Sequence, residues 1–400
     1  MTYEDGEAFA RGLDAADALG RFRSEFLFPA GAPLYFAGHS LGLQPRRARE
    51  YVSAELEAWA RHAVEGHFAG PHPWLPYHEL VTGPVARLCG ALPHEVVTMN
   101  TLTVNLHLLL ISFYRPAPGR YRIVTEPRPF PSDRYALESQ ARLHGYSDAV
   151  VEAEDPAAAI GPDTALALVG QPSYFTGAAI DVPALIAAAQ RHGCPVGLDL
   201  AHGIGNLRLS LHDWDVDFAV WCNYKYLNAG PGGLGGAFVH ERHARADLLR
   251  LAGWWGHDKS TRFQMGPAFQ PLPGAEGWQL SNPPILPLAA LRASLELFDA
   301  AGIAALRAKS VELTAYLEWL LLQVPGIEPL TPRDPERRGS MLTVRVRDGA
   351  EALVDRLRAR GALCDFRAPD VVRLTPAPLY VGFDDVRRLA ALIREERARG

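Results

Sequence analysis

Trp221-Cys222-Asn223-Tyr224-Lys225-Tyr226-Leu227-Asn228-Ala229-Gly230-Pro231-Gly232-Gly233 reads as the end of a buried strand, a lysine between two tyrosines, and a glycine-rich turn. Upstream, Val196-Gly197-Leu198-Asp199-Leu200-Ala201-His202 ends a second apolar run on an acid and a histidine. The separation of 26 positions from Asp199 to Lys225 is about one strand–connection–strand unit. Ligands of open α/β sheets bind beyond the carboxyl ends of the strands, so Asp199 and Lys225 are expected to converge there.

Working outward, apolar runs at 166–169, 196–200, 218–222 and 237–239 read as buried strands. Between the first two, 183–192 is a helix pattern opened by Pro183 and closed by Gly193. This alternation predicts an α/β fold, a large domain with a mostly parallel central sheet covered by helices. From Arg46 onward, Val52, Leu56, Trp59, Ala60 and Ala63 recur at helical spacing and predict a helix with these residues as its apolar stripe. After Asn282-Pro283-Pro284-Ile285-Leu286-Pro287 the character changes. A long helix with Leu313, Tyr316, Leu317, Leu320, Leu321 and Val324 on one stripe is followed by a strand (341–346), a helix (350–360), a strand (371–374) and a final helix. These predict a smaller α/β C-terminal domain over 291–400, a large domain over 45–290, and an N-terminal segment, 1–44, packing with the small domain.

Lys and Arg total 40 against 45 Asp and Glu, a net charge of −5, which excludes a general nucleic-acid binder. No run of 18 apolar residues suggests a membrane span, and Met1-Thr2-Tyr3-Glu4-Asp5 is not the start of a signal peptide. Cys89, Cys194, Cys222 and Cys364 are widely spaced, as expected of free thiols in the cytoplasm, with no metal site indicated. Gly230-Pro231-Gly232-Gly233-Leu234-Gly235 fits a dinucleotide fingerprint but runs into a strand where a helix is needed. His240-Glu241-Arg242-His243 spaces its histidines one residue too closely for a zinc helix.

The chain has only three lysines, Lys225, Lys259 and Lys309, against 37 arginines. Lys259 reads as a solvated loop residue and Lys309 as a group on a helix's polar face. Lys225 lies among aromatic and apolar residues, a setting suited to a Schiff-base amine. Asp199 could be no more than a helix N-cap. A carboxylate beside such a lysine is nevertheless what pyridoxal 5'-phosphate (PLP) requires to keep its pyridine nitrogen protonated.

Eight segments then carry a family resemblance, from about Tyr35 to near the C-terminus. They are Gly38-His39-Ser40-Leu41-Gly42-Leu43-Gln44-Pro45, Met99-Asn100-Thr101-Leu102-Thr103-Val104-Asn105-Leu106-His107, Phe130-Pro131-Ser132-Asp133 and Asp199-Leu200-Ala201-His202. The others are Tyr224-Lys225-Tyr226-Leu227-Asn228, Gly253-Trp254-Trp255-Gly256-His257, Ser281-Asn282-Pro283-Pro284 and Arg373-Leu374-Thr375-Pro376. In these the chain resembles the kynureninases, PLP-dependent enzymes of the aspartate-aminotransferase (fold type I) superfamily.

The resemblance implies a hydrolase that cleaves the Cβ–Cγ bond of L-kynurenine or 3-hydroxy-L-kynurenine, giving L-alanine and an anthranilate. It makes Lys225 the Schiff-base lysine, Asp199 the partner of the pyridine nitrogen, and Asp133 and His202 their supporting shell. Phe130 would stack on the ring, Leu102 (by its backbone N–H) and Thr103 would grip the phosphate, and Tyr224 would touch the phosphate and donate a proton to product. Trp254 and Asn282 would come from a partner subunit, implying a homodimer with shared sites. Arg373 would clamp the substrate α-carboxylate, and its apolar flanks in Val371-Val372-Arg373-Leu374 fit a buried guanidinium that needs a counter-charge. His67 and Asn282 resemble the animal-type enzymes that prefer the 3-hydroxy substrate. Ser40 falls in the substrate-binding set; His39 stands where the family usually has asparagine, which bears on contacts at the substrate's aromatic end. A class V aminotransferase and a cysteine desulfurase are the alternatives, although no cysteine sits in a glycine-flanked loop.

Overall fold

The structure, a computed structural model, describes residues 2–399. Its central sheet has seven strands: β1 (Val96–Met99), β2 (Arg122–Thr125), β3 (Val150–Glu152), β4 (Thr164–Gly170), β5 (Val196–Asp199), β6 (Phe218–Cys222) and β7 (Gly235–Val239). Their spatial order is β1-β7-β6-β5-β4-β2-β3. β7 runs antiparallel to both neighbours, and the remaining pairings are parallel. The longer helices are α1 (Glu7–Ala16), α2 (Ala48–His62), α3 (Glu79–Cys89), α4 (Leu102–Phe113), α5 (Pro131–Leu143), α6 (Val182–Arg191), α7 (Ile285–Ala301), α8 (Ile303–Leu321), α9 (Ala350–Ala359) and α10 (Phe383–Ala398).

The continuous apolar runs of β4 and β6 follow from cover on both faces. Leu166, Leu168, Phe218 and Val220 point into one core with α4 and α5, while Ala167, Val169, Ala219 and Trp221 point into the other. Alternate side chains of a strand face opposite sides, so a two-faced sheet must be apolar at every position. Gly235–Val239 follows the glycine-rich turn as a strand, so the dinucleotide fingerprint is structural.

A second, antiparallel sheet holds β8 (Ile327–Pro329), β9 (Leu342–Val346), β10 (Asp365–Arg367) and β11 (Val371–Leu374), in the order β8-β9-β11-β10. The N-terminal segment reaches this body: Leu34–Tyr35 pairs with Ala362–Leu363, and α1 packs on α10. The helical stretch after the proline-rich segment is two helices, divided at Gly302, whose φ of 76° suits a residue without a Cβ. Residue 290 lies inside α7, which packs on α2 and α3, so we propose Gly302 as the division between the two bodies.

Two expectations fail. The stripe on α2 is not its inward face: Ala48, Tyr51 and Glu55 are buried, whereas Leu56 and Trp59 are 44% and 62% exposed. Glu55 is held inside by the Trp74 indole N–H at 2.9 Å, a pairing that spacing alone does not reveal. Lys309 is not on a polar face; it is buried, 2.7 Å from Asp17 and donating to Pro378 O at 2.7 Å. The buried carboxylate supplies the counter-charge that makes this possible. Lys259 is on the surface but bridges Glu79 and Glu276 at 2.9 and 2.7 Å.

Candidate active site

The carboxyl ends of β1, β2, β4, β5 and β6 meet at one edge of the sheet, around a cleft of about 270 Å³. Leu102, Thr103, Phe130, Asp133, Asp199, His202, Tyr224 and Lys225 all line it. The sequence separates these residues by up to 123 positions; strand order brings them together.

Each is fixed by local structure. Asp199 closes β5, and its Oδ1 accepts from Ala201 N at 2.7 Å, so it does cap the following turn while facing the cleft. The Lys225 turn is held by Asn223, which donates to Leu234 O at 2.8 Å and accepts from Trp221 Nε1 at 3.0 Å. The N-terminal segment braces the same turn through Gly42 N to Tyr224 O, 2.9 Å. A Cβ on Gly42 would lie 2.3 Å from Lys225 O and 2.2 Å from Asn228 Oδ1, so only glycine lets the two segments meet. Lys225 Nζ stands 5.6 Å from the Phe130 ring centroid. Phe130 precedes α5, whose first turn carries Asp133. Thr103 Oγ1 lies 2.7 Å from Ser132 Oγ, tying the first turns of α4 and α5 together.

Burial, with the nearby carboxylates of Asp199 and Glu126, pushes Asp133 well above the usual carboxylate range. Burial, reinforced by Lys225 and Arg373, holds His202 well below the ordinary imidazole value. Burial and the Cys222 thiol raise the Tyr224 phenol, so it keeps its proton. Asp133 Oδ1 and His202 Nδ1 are buried without a hydrogen-bond partner. Orphaned polar atoms of this kind are costly unless something else satisfies them. The residues therefore fit PLP: an acid for the ring nitrogen, polar atoms awaiting partners, an amine, an aromatic face, and free N–H groups at the start of α4 for a phosphate.

Other expected residues lie elsewhere in the single chain. Arg373 is 2% exposed and sits beside the cleft, donating to Asp365 through Nε at 2.8 Å and through Nη2, and to Tyr174 O at 2.8 Å. His39 also approaches Asp365. It is buried, with Nδ1 2.7 Å from Thr375 Oγ1 and Nε2 3.2 Å from Asp365 Oδ1, because Ala37 bridges Thr375 and draws the segment along β11. Ser40, next in this segment, is exposed. His67 Nδ1 lies 3.0 Å from Val64 O, and its ring meets Trp74 edge-on. Trp254 is 40% exposed against Phe263, and Asn282 is exposed just after a bend at Ser281.

Glu126, Ser132 and Tyr174 line the cleft and Asp365 stands behind it, all outside the expected set. Glu126 had a legible signal, an acid closing the apolar run Ile123-Val124-Thr125 as Asp199 closes its own. A Cβ on Gly170 would come within 2.8 Å of Glu126 Oε1, so β4 ends on glycine where this side chain crosses it. Asp365 follows no such pattern. All four cysteines are buried and burial raises each thiol, Cys194 and Cys364 to about 12, so none is a ready nucleophile of the desulfurase kind.

Fold and cleft together define the class: a fold type I enzyme, the architecture of PLP-dependent catalysis. Among solved structures, a cystine C–S lyase, C-DES, bound to cysteine persulfide is similar at a TM-score of 0.77 and 18% identity, covering 92% of this chain and 98% of its own. The Escherichia coli cysteine desulfurase CsdA matches at 0.77 and 18%, over 95% and 98%. At such identities the likeness is one of fold.

Sequence relatives are more specific. Residues 306–393 match the family model described as the kynureninase C-terminal domain. Kynureninases of Myxococcus xanthus (strain DK1622) and Xanthomonas axonopodis pv. citri (strain 306) are 58% and 53% identical over 96% of this chain, and 96% and 97% of theirs. The kynureninase of Koribacter versatilis (strain Ellin345) is 51% identical over 96% of both chains. The chain belongs to the kynureninase family.

Proposed function

We propose that the cleft hydrolyses the Cβ–Cγ bond of L-kynurenine and its 3-hydroxy form, yielding L-alanine and an anthranilate. The observation that carries this is the meeting of Lys225, Asp199, Asp133, His202, Phe130 and Tyr224 in one cleft of a kynureninase-family chain. When bound, PLP supplies an electron sink for charge that develops on the substrate.

The residues then divide the work. Asp199 would hold a proton on the cofactor's pyridine nitrogen, supported by Asp133 and His202. The first turn of α4, with Leu102 N–H and Thr103 Oγ1, would take the phosphate, and Phe130 would cover the ring. Lys225 Nζ would hold the cofactor and, once the substrate's amine has freed it, accept the α-proton and later return it to Cα. Water adds its oxygen to Cγ, the Cβ–Cγ bond breaks, and the Tyr224 hydroxyl gives its proton to Cβ and is restored by the proton that water gives up. Burial keeps that phenol protonated, as a donor must be. Arg373 takes the α-carboxylate.

A homodimer with shared sites completes this reading. Trp254, Asn282 and His67 stand away from the cleft, and Leu56, Trp59, Val64, Phe68 and Met265 form exposed apolar surface suited to a second copy. Among the described residues no helix is long and apolar enough to cross a membrane. The test is direct. Incubation with L-kynurenine and PLP should release fluorescent anthranilate and an equal amount of alanine, and formation of neither at saturating PLP refutes the assignment. Replacing His67 and Asn282 in turn, with kcat/KM for both substrates, decides the animal-type reading.

A further inference from the structure

Arg373 on β11 and Asp365 on β10 stand directly opposite each other across the antiparallel pair. Opposed residues in such a pair have neighbouring side chains, and here the carboxylate takes the guanidinium side-on, through Nε and Nη2. Tyr174 O takes one Nη1 proton. A guanidinium has five N–H donors, and these contacts use three, leaving one on each Nη. Asp365 is itself approached from two further directions: Arg367 Nη2 lies 3.2 Å from Oδ2, and His39 Nε2 lies 3.2 Å from Oδ1, close but not aligned as a hydrogen bond. His39 in turn is anchored on Thr375, and burial holds its imidazole down at about 4, so it is neutral at physiological pH. Two guanidinium charges thus face one carboxylate, and one positive charge is left over beside the cleft. Tyr174, which carries the Arg373 contact, lines that cleft.

We propose that Asp365, backed by His39, is the positioning residue for the substrate's α-carboxylate: it fixes Arg373 side-on so that the remaining N–H of each Nη meets the carboxylate as a fork. Without Asp365 the guanidinium could turn about its side chain and present a single donor, or fold against Tyr174. The inference rests on the reading of Arg373 as the carboxylate clamp and extends it to the residues that aim it. It also gives His39, which replaces the family's usual asparagine, a task at the carboxylate end of the substrate.

The experiment compares holoenzyme variants Asp365→Asn, Asp365→Glu, His39→Asn, Arg373→Lys and the Asp365→Asn/Arg373→Lys double in KM and kcat for L-kynurenine. Inhibition by the decarboxylated amine of kynurenine, which lacks the group Arg373 would hold, is measured alongside. Asp365→Asn should raise KM about tenfold with kcat changed less than about threefold, the split expected when binding common to ground and transition states is removed. His39→Asn should raise KM about threefold, and Asp365→Glu should recover most of the loss. The double variant should be no worse than Arg373→Lys alone, and inhibition by the amine should stay unchanged within about twofold. Additive losses, or an equal loss of amine binding, would overturn the proposal. If Arg373→Lys leaves KM unchanged, the clamp reading itself fails; if it raises KM while Asp365→Asn does not, only the positioning role fails.

Discussion

At the amino-terminal edge of the central sheet, Glu95 accepts from His212 Nδ1 at 3.0 Å, Glu241 N at 2.7 Å and Leu92 N at 2.8 Å. Nearby, Asp217 takes His243 Nε2 at 2.8 Å and Arg242 Nη2 at 2.7 Å, and His240 spans His212 O and Arg242 N. At the carboxyl edge the ionisable side chains are as dense, but Asp133 Oδ1 and His202 Nδ1 have no partner. The larger concavity, about 630 Å³, is at the amino-terminal edge. Size therefore misleads; what sets the cleft apart from this edge is hydrogen-bonding capacity left unspent among its ionisable side chains. Glu95, His212 and His240 come close enough to share an ion. Their polar atoms are, however, already engaged within the protein: Glu95 takes three donors, and His240 pairs with His212 O and Arg242 N.

The contrast breaks most visibly at Lys225. Lys225→Ala should lower kcat by at least about 1000-fold and remove the cofactor's visible absorbance, while His212→Ala changes kcat less than about twofold. A His212 variant as dead as the lysine variant would end the distinction between the edges. Next in size, Glu95→Ala should cost about 3 kcal/mol of unfolding free energy in urea, because it removes three part-buried hydrogen bonds to one buried carboxylate, yet leave kcat/KM intact.

His39 sharpens the contrast by pH. Its unfolded imidazole binds a proton near 6.5, but the buried ring does so only near 4, so the unfolded state gains protons first. Stability should fall as pH drops from 6.5 to about 4 and level off below, by up to about 3 kcal/mol. Urea unfolding at pH 7 and pH 4.5 should show a smaller acid loss in His39→Asn than in the native chain. An identical loss would mean His39 is not held neutral. The smallest effect belongs to Arg242→Ala: its ion pairs are partly solvated, so it should cost less than about 1 kcal/mol and no activity.

Much of the fold was legible because its strands are covered on both faces, and burial at every position writes an uninterrupted apolar run. Helix faces were less legible. On α2 the periodic stripe of Leu56 and Trp59 points outward, since periodicity reports that a face is apolar and not what lies against it. Lys309 was misread for a related reason: its partner Asp17 is 292 positions away.

Strand-end acids and the lysine among aromatics are local features, so the sequence by itself determined the chemistry available: an amine and its acid partner. It also determined the family, through motifs whose residues need not be neighbours to be read. Only the tertiary structure decided which groups share a cleft, which of their polar atoms are left without partners, and that Asp365 and His39 stand behind Arg373. Those facts depend on strand order, register and burial, which set distances and desolvation between residues remote in the chain.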